Sequence, residues 1–177
     1  MTTTTIEERL AEVGRRIDLL QERAEANAAA AKPRIQRHVA AVREEEASAW
    51  ASARDALDEV EEKLAQLETR LDVAEHSLAA DVSGDRERFA AAVEAELHSW
   101  DTYLERMQTT AATKAWKARE HAEASISDVR MHRIAVGARL AQAREAAGES
   151  WQEQRERVAA ARDELERRAD ELSAKLR

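Results

Sequence analysis

The chain has 177 residues, 44% apolar and 36% charged, with six aromatics, four Gly, one Pro and no Cys. Roughly half of the apolar residues are alanine, which adds little buried area, so the composition argues against a thick globular core or a turn-rich sheet and for long helices. Without Cys there are no disulfides, thiolate catalysis or zinc-cysteine sites, and a net charge of −8 with interspersed acids and bases offers no basic cluster to nucleic acid.

The first helix is predicted to start at Thr5-Ile6-Glu7-Glu8, where Thr and the Glu three residues on satisfy each other's orphan amides. Ile6, Leu10, Val13, Ile17, Leu20 and Ala24 then recur at spacings of four and three, which keeps one narrow apolar stripe against a partner helix. Pro33 must either kink this helix or restart it in a first turn. Ala31 and Lys32 are poor N-caps, so a kinked but continuous rod is expected. The stripe resumes at Ile35, Val39 and Val42 and needs an extra step of four near Trp50, a stutter that relaxes supercoiling. It is most regular at Ala53, Leu57, Val60, Leu64, Leu67, Leu71, Ala74 and Leu78.

Ala80-Asp81-Val82-Ser83-Gly84-Asp85 reads as a chain reversal, with Gly84 available for a positive φ and Ser83 or Asp85 as the next N-cap. Beyond it, Phe89, Val93, Leu97, Trp100, Leu104 and Met107 form a second seam, continued by Ile126, Val129, Val136, Leu140 and Ala143. The last stretch carries Trp151, Val158, Ala161, Leu165, Ala169, Leu172 and Leu176. The expected fold is all-α: an elongated antiparallel hairpin or coiled-coil bundle of two to four long helices. It forms a single domain over 1–177, with a first arm over about 5–80 kinked near 33, a turn at 81–85, and a second arm over about 86–176 with a possible break near 148.

Three segments share a pattern: Val39 to Trp50, Phe89 to Trp100 and Leu140 to Trp151. Each places a large apolar residue eleven before Trp and a Glu six before it; eleven residues are three helical turns, so the two large residues lie on the same face of a helix and form one packing unit. Trp100 and Trp116 sit about 160° apart around such a helix, at 100° per residue. One hairpin partner cannot cover both, so a second copy is expected to. Val39, Phe89, Leu140, Trp50, Trp100, Trp116 and Trp151 are therefore the candidate packing and self-association residues, in a homodimer or higher oligomer. A hinge near 83.5 pairs Trp50 with Trp116 and Leu67 with Trp100.

Di-iron bundles need Glu-x-x-His pairs, and none of the five His has a Glu three residues before it. Asp72 with His76, Glu94 with His98 and Asp128 with His132 stand at a spacing of four, which more often makes a surface hydrogen bond than a metal pair. The hinge brings His38 toward His132 and Glu46 toward His121, the best remaining metal candidates. No phosphate loop, nucleophile elbow or His-Glu-x-x-His helix occurs, so neither catalysis nor a cofactor or metal is expected. A basic N-terminal region followed by an apolar stretch is lacking, as is a run of about 18 apolar residues, and the expected location is cytoplasmic.

Leu20-Gln-Glu-Arg-Ala-Glu-Ala, the Ala-rich lead into Ile35-Gln-Arg-His-Val-Ala-Ala-Val, and Ala147-Gly-Glu-Ser-Trp151-Gln-Glu-Gln-Arg resemble small, poorly characterised bacterial coiled-coil proteins often described as stress-associated. The resemblance covers mainly residues 10–45 and 145–177; the chain departs from it in length, in using Arg for Lys and in carrying Pro33. It implies a cytoplasmic, non-enzymatic protein made under stress, with no functional residues to carry over. The expected function is a self-associating structural, scaffolding or stress-protective one. The alternatives are an apolipoprotein-like lipid-surface binder and a helical adaptor for another protein complex.

Overall fold

A computed structural model describes residues 3–26, 32–52, 57–146 and 150–176. They form six α-helices: α1 (Thr3–Ala26), α2 (Lys32–Ser52), α3 (Leu57–Val82), α4 (Arg86–Ala112), α5 (Trp116–Glu145) and α6 (Ser150–Leu176). The all-α class holds, but the two to four long helices are six, of 21 to 30 residues. They divide into two compact units, Met1–Val82 and Ser83–Arg177.

In the first unit the apolar stripes of α1, α2 and α3 converge into one core running from Ile6 through Ile35 and Leu67 to Leu78. Arginines on α1 set its direction against α3: Arg9 pairs with Glu68 at 2.7 Å, and Arg16 with Asp72 and Glu75 at 2.7 and 3.0 Å. Residue numbers rise together along both helices, so they run parallel. Arg43 of α2 reaches back to Asp18 and Gln21 at 3.3 and 2.9 Å, and Arg34 pairs with Asp81 at 2.5 Å, so α2 is antiparallel to both neighbours. The result is an up-down-up three-helix bundle.

The kinked rod of the sequence reading is corrected at Pro33. A new helix begins at Lys32 and holds Pro33 in its first turn, where the missing N–H has no intrahelical acceptor to lose. Pro33→Ala is therefore expected to lower stability by about 0.4–1 kcal/mol, because the unfolded chain gains freedom. Relief of a mid-helix kink would have the opposite sign, and thermal unfolding followed by circular dichroism tells them apart. Near Trp50 the predicted stutter is where α2 ends, at Ser52, and α3 starts at Leu57. Ala53, the first residue of the most regular seam, lies outside the described residues.

The second unit repeats the topology. Arg133 pairs with Asp101 and Arg144 with Glu94, both at 2.5 Å, which places α5 antiparallel to α4. Arg168 to Asp128 at 3.3 Å and Lys175 to Ser125 at 3.1 Å place α6 antiparallel to α5. Asp85 is the N-cap of α4, its carboxylate accepting from the Arg88 amide at 2.9 Å. Gly84 stands in open space without using the left-handed backbone region that made it a turn candidate.

The second arm is not one helix either. α4 ends at Ala112 within the run Thr109, Thr110, Thr113, whose hydroxyls donate to the carbonyls of Glu105, Arg106 and Thr110 at 3.2, 3.2 and 2.7 Å. Threonines bonding back to the preceding turn compete with helix continuation, and this cluster is the signal that the apolar spacing did not show. α5 ends at Glu145 and α6 starts at Ser150, while the candidate break residue Gly148 lies outside the described residues.

Candidate functional site

The buried face of α4 runs Phe89, Val93, Glu96, Trp100, Tyr103 and Met107, and that of α6 runs Val158, Arg162, Leu165, Ala169, Leu172 and Leu176. Each has a charged residue at a seam position. Glu96 and Arg162 meet there: the Arg162 Nε and Nη2 donate to Glu96 Oε2 at 2.7 and 2.6 Å, with side chains 3% and 1% exposed. The indole Nε1 of Trp100 points at Glu96 Oε1 from 3.5 Å, and Trp100 stacks edge-on against Tyr103 with centroids 5.6 Å apart. The pair joins α4 to α6 in the interior, and a slip of one helix along the other would pull the two charges apart. The sequence reading passed over both residues, choosing Leu97 and Ala161 as the neighbouring seam positions. Opposite charges at seam spacing on two helices were the available signal.

The tryptophans do not share one role. Trp100 is fully buried inside the second unit, without a second copy. Trp116 is 71% exposed at the first position of α5. The expectation that one continuous helix turns them to opposite sides is corrected, because the helix ends at Ala112 and restarts between them. Trp151 is half-buried and packs edge-on against Phe89, centroids 5.5 Å apart, with the Arg155 guanidinium 5.2 Å from the Phe89 ring. Val39, Phe89 and Leu140 are buried in their own units. Trp50 lies in α2, and its side chain falls outside the described residues. The fifty-residue pattern is not a structural repeat: its three tryptophans fall near the end of α2, mid-way along α4 and at the second residue of α6. Leu140 and Trp151 lie on different helices, so the shared face expected of that pair does not form.

Of the carboxylates paired with His by spacing, Asp72 is engaged by Arg16 and Glu94 by Arg144. Hydrogen bonding from Arg144 holds the Glu94 carboxyl below its ordinary range. His132 lies 3.6 Å from Asp128 and 3.7 Å from Glu164, beside an open groove of about 400 Å³ that Arg139 and Arg157 also line. Among the described residues no group of three His, Asp or Glu side chains is placed to hold a metal ion. His38 and His132 belong to different units, as do Glu46 and His121.

Glu164 accepts from Arg167 and from Arg168, the latter at 2.9 Å, and these bonds lower its carboxyl to about 2. A group held below its ordinary 4.5 stabilises the folded state when ionised. That contribution is complete above about pH 4.5 and is lost as pH falls toward 2. An NMR titration of the Glu164 carboxyl is expected to show this low midpoint, and its return toward the ordinary value in Arg167→Ala/Arg168→Ala. Added salt should also weaken the shift, since the cluster is open to solvent.

One surface stands apart. Met131 and Ile134 on α5 are 63% and 57% exposed, on the side opposite the buried Ile126, Val129, Val136 and Leu140. Bundle helices normally carry charge on their outer face, and these two apolar side chains stand there instead. Among the described residues no helix is long and apolar enough to cross a membrane. Comparison with known proteins finds no family model, no curated protein and no solved structure that matches the chain.

Proposed function

We propose that the protein is a non-enzymatic, self-associating helical protein with a structural, scaffolding or stress-protective role. The observation that carries this reading is the apolar outer face of α5, with Met131 and Ile134 presented to solvent on a rigid helix. The placement of charge supports it: Arg9, Arg16, Arg34, Arg133 and Arg144 pair with carboxylates of neighbouring helices, and Glu96 pairs with Arg162 in the interior. Side chains used in this way define a scaffold, and the scaffold then acts through its surface. Coiled-coil pairing between copies is the proposed mode of association, with a cytoplasmic location as the resemblance to stress-associated proteins implies. A lipid surface is a weaker fit, because a chain of net charge −8 is repelled by anionic headgroups.

Sedimentation of the full chain over a range of concentrations tests the reading. A dimer or larger particle that forms as concentration rises is the expected result. A monomer at every concentration overturns it.

A further inference from the structure

The exposed side of α5 is a second heptad seam. Ala124, Ser127, Met131, Ile134, Ala138 and Ala141 are all exposed and recur at spacings of three and four, with no charge among them over about 26 Å of helix. The outer faces of its neighbours differ: α4 exposes Glu87, Glu94 and Glu105, and α6 exposes Glu153, Glu156, Arg167 and Glu171. The inner seam of α5, from Ala122 through Ile126, Val129, Val136 and Leu140 to Ala143, is already filled by the bundle. The outer one has small residues at its ends and two large ones in the middle.

We infer that this seam pairs antiparallel with the same seam of a second copy, about a two-fold axis between Met131 and Ile134. The inference rests on the self-association reading and specifies its surface and direction. In this register Met131 faces Ile134 of the other copy, Ser127 faces Ala138 and Ala124 faces Ala141, so all six seam residues are covered. The flanking charges decide the direction. Flanking positions of an antiparallel pair meet their own kind, which sets Glu123 against Arg144 of the second copy, twice by symmetry. Arg130 then meets Gly137 and Asp128 meets Ala135, so no like charges meet on the flanks. Parallel pairing instead sets Glu123 against Asp128, twice, with no opposite-charge pair in return. Both Glu123 and Arg144 are about half exposed in their existing pairs with Arg119 and Glu94, and so are open to a further partner. Glu120 and Glu145 face each other one layer beyond the seam and end it there. So short a seam of small residues falls below the roughly 800 Å² per partner of a standard interface, and the dimer is expected to dissociate on dilution.

The test uses the full chain, whose lack of Cys makes introduced thiols unique. Met131→Asp/Ile134→Asp should leave helicity unchanged, since both sites are exposed, and weaken dimerisation by at least about a hundredfold by setting carboxylates against each other. Under oxidation, a Ser127→Cys chain mixed with an Ala138→Cys chain should cross-link, and neither should cross-link alone. A residue and its own copy lie about 16 Å apart along the axis, beyond the roughly 7 Å limit for a disulfide. Self-cross-linking of Ser127→Cys overturns the antiparallel register. A dimer that survives Met131→Asp/Ile134→Asp overturns the seam and leaves self-association standing through another face. A wild-type monomer at every concentration overturns both.

Discussion

Glu96→Ala is expected to destabilise the second unit by about 3–5 kcal/mol, the usual cost of removing one member of a buried ion pair. Arg162 would lose the carboxylate that accepts from its Nε and Nη2 at 2.7 and 2.6 Å, in a position where its side chain is 1% exposed. Arg162→Met should cost a similar amount, since it leaves the carboxylate without its guanidinium. Glu96→Leu/Arg162→Leu should recover most of the loss, because replacing both charges removes the desolvation penalty along with the attraction. The comparison separates net stability from specification of register. Denaturant midpoints of the three variants, with hydrogen exchange along α4 and α6, measure it. A loss in the double variant equal to the sum of the two single losses would show that the pair carries no mutual dependence.

Trp100→Ala should cost about 3–5 kcal/mol, and Trp116→Ala should stay within about 0.5 kcal/mol of wild type. Trp100 is fully enclosed, stacked on Tyr103, and alanine there leaves a cavity that rigid helices close only in part. Trp116 is 71% exposed at a helix start and has little packing to lose. A spacing argument that places both tryptophans on one helix treats them alike. The measured difference in unfolding midpoint, expected to exceed ten degrees on the scale of about 4–8 °C per kcal/mol for a domain of this size, would show that they are not. A large loss in Trp116→Ala would mean that its side chain is covered in the native particle.

Much of the helical content was legible because apolar spacing records a local property. The seam residues read in the sequence from Ile6 to Ala24, Val60 to Leu78 and Phe89 to Met107 are all buried in the structure. The helix ends were harder to read. At Pro33 the same residue fits a kink or a first turn, and the choice depends on whether α2 finds a better partner by folding back on α1, as Arg43 does with Asp18 and Gln21. At residues 109–113 the threonines weaken the helix only slightly by themselves, and the third helix of the bundle decides that the chain turns there. Glu96 and Arg162 were missed for a related reason: a charge at a seam position reads as a solvated residue until the opposite charge is brought to it from 66 residues away.

The all-α class and the apolar stripes follow from composition and spacing, because backbone hydrogen bonding within a helix and the burial of one face are properties of a local stretch of chain. The pairing of helices into two up-down-up bundles, the ion pair at their second core and the outer seam of α5 do not. They depend on which faces are left after each helix has chosen its neighbours, and that choice is made by contacts between residues distant in the chain.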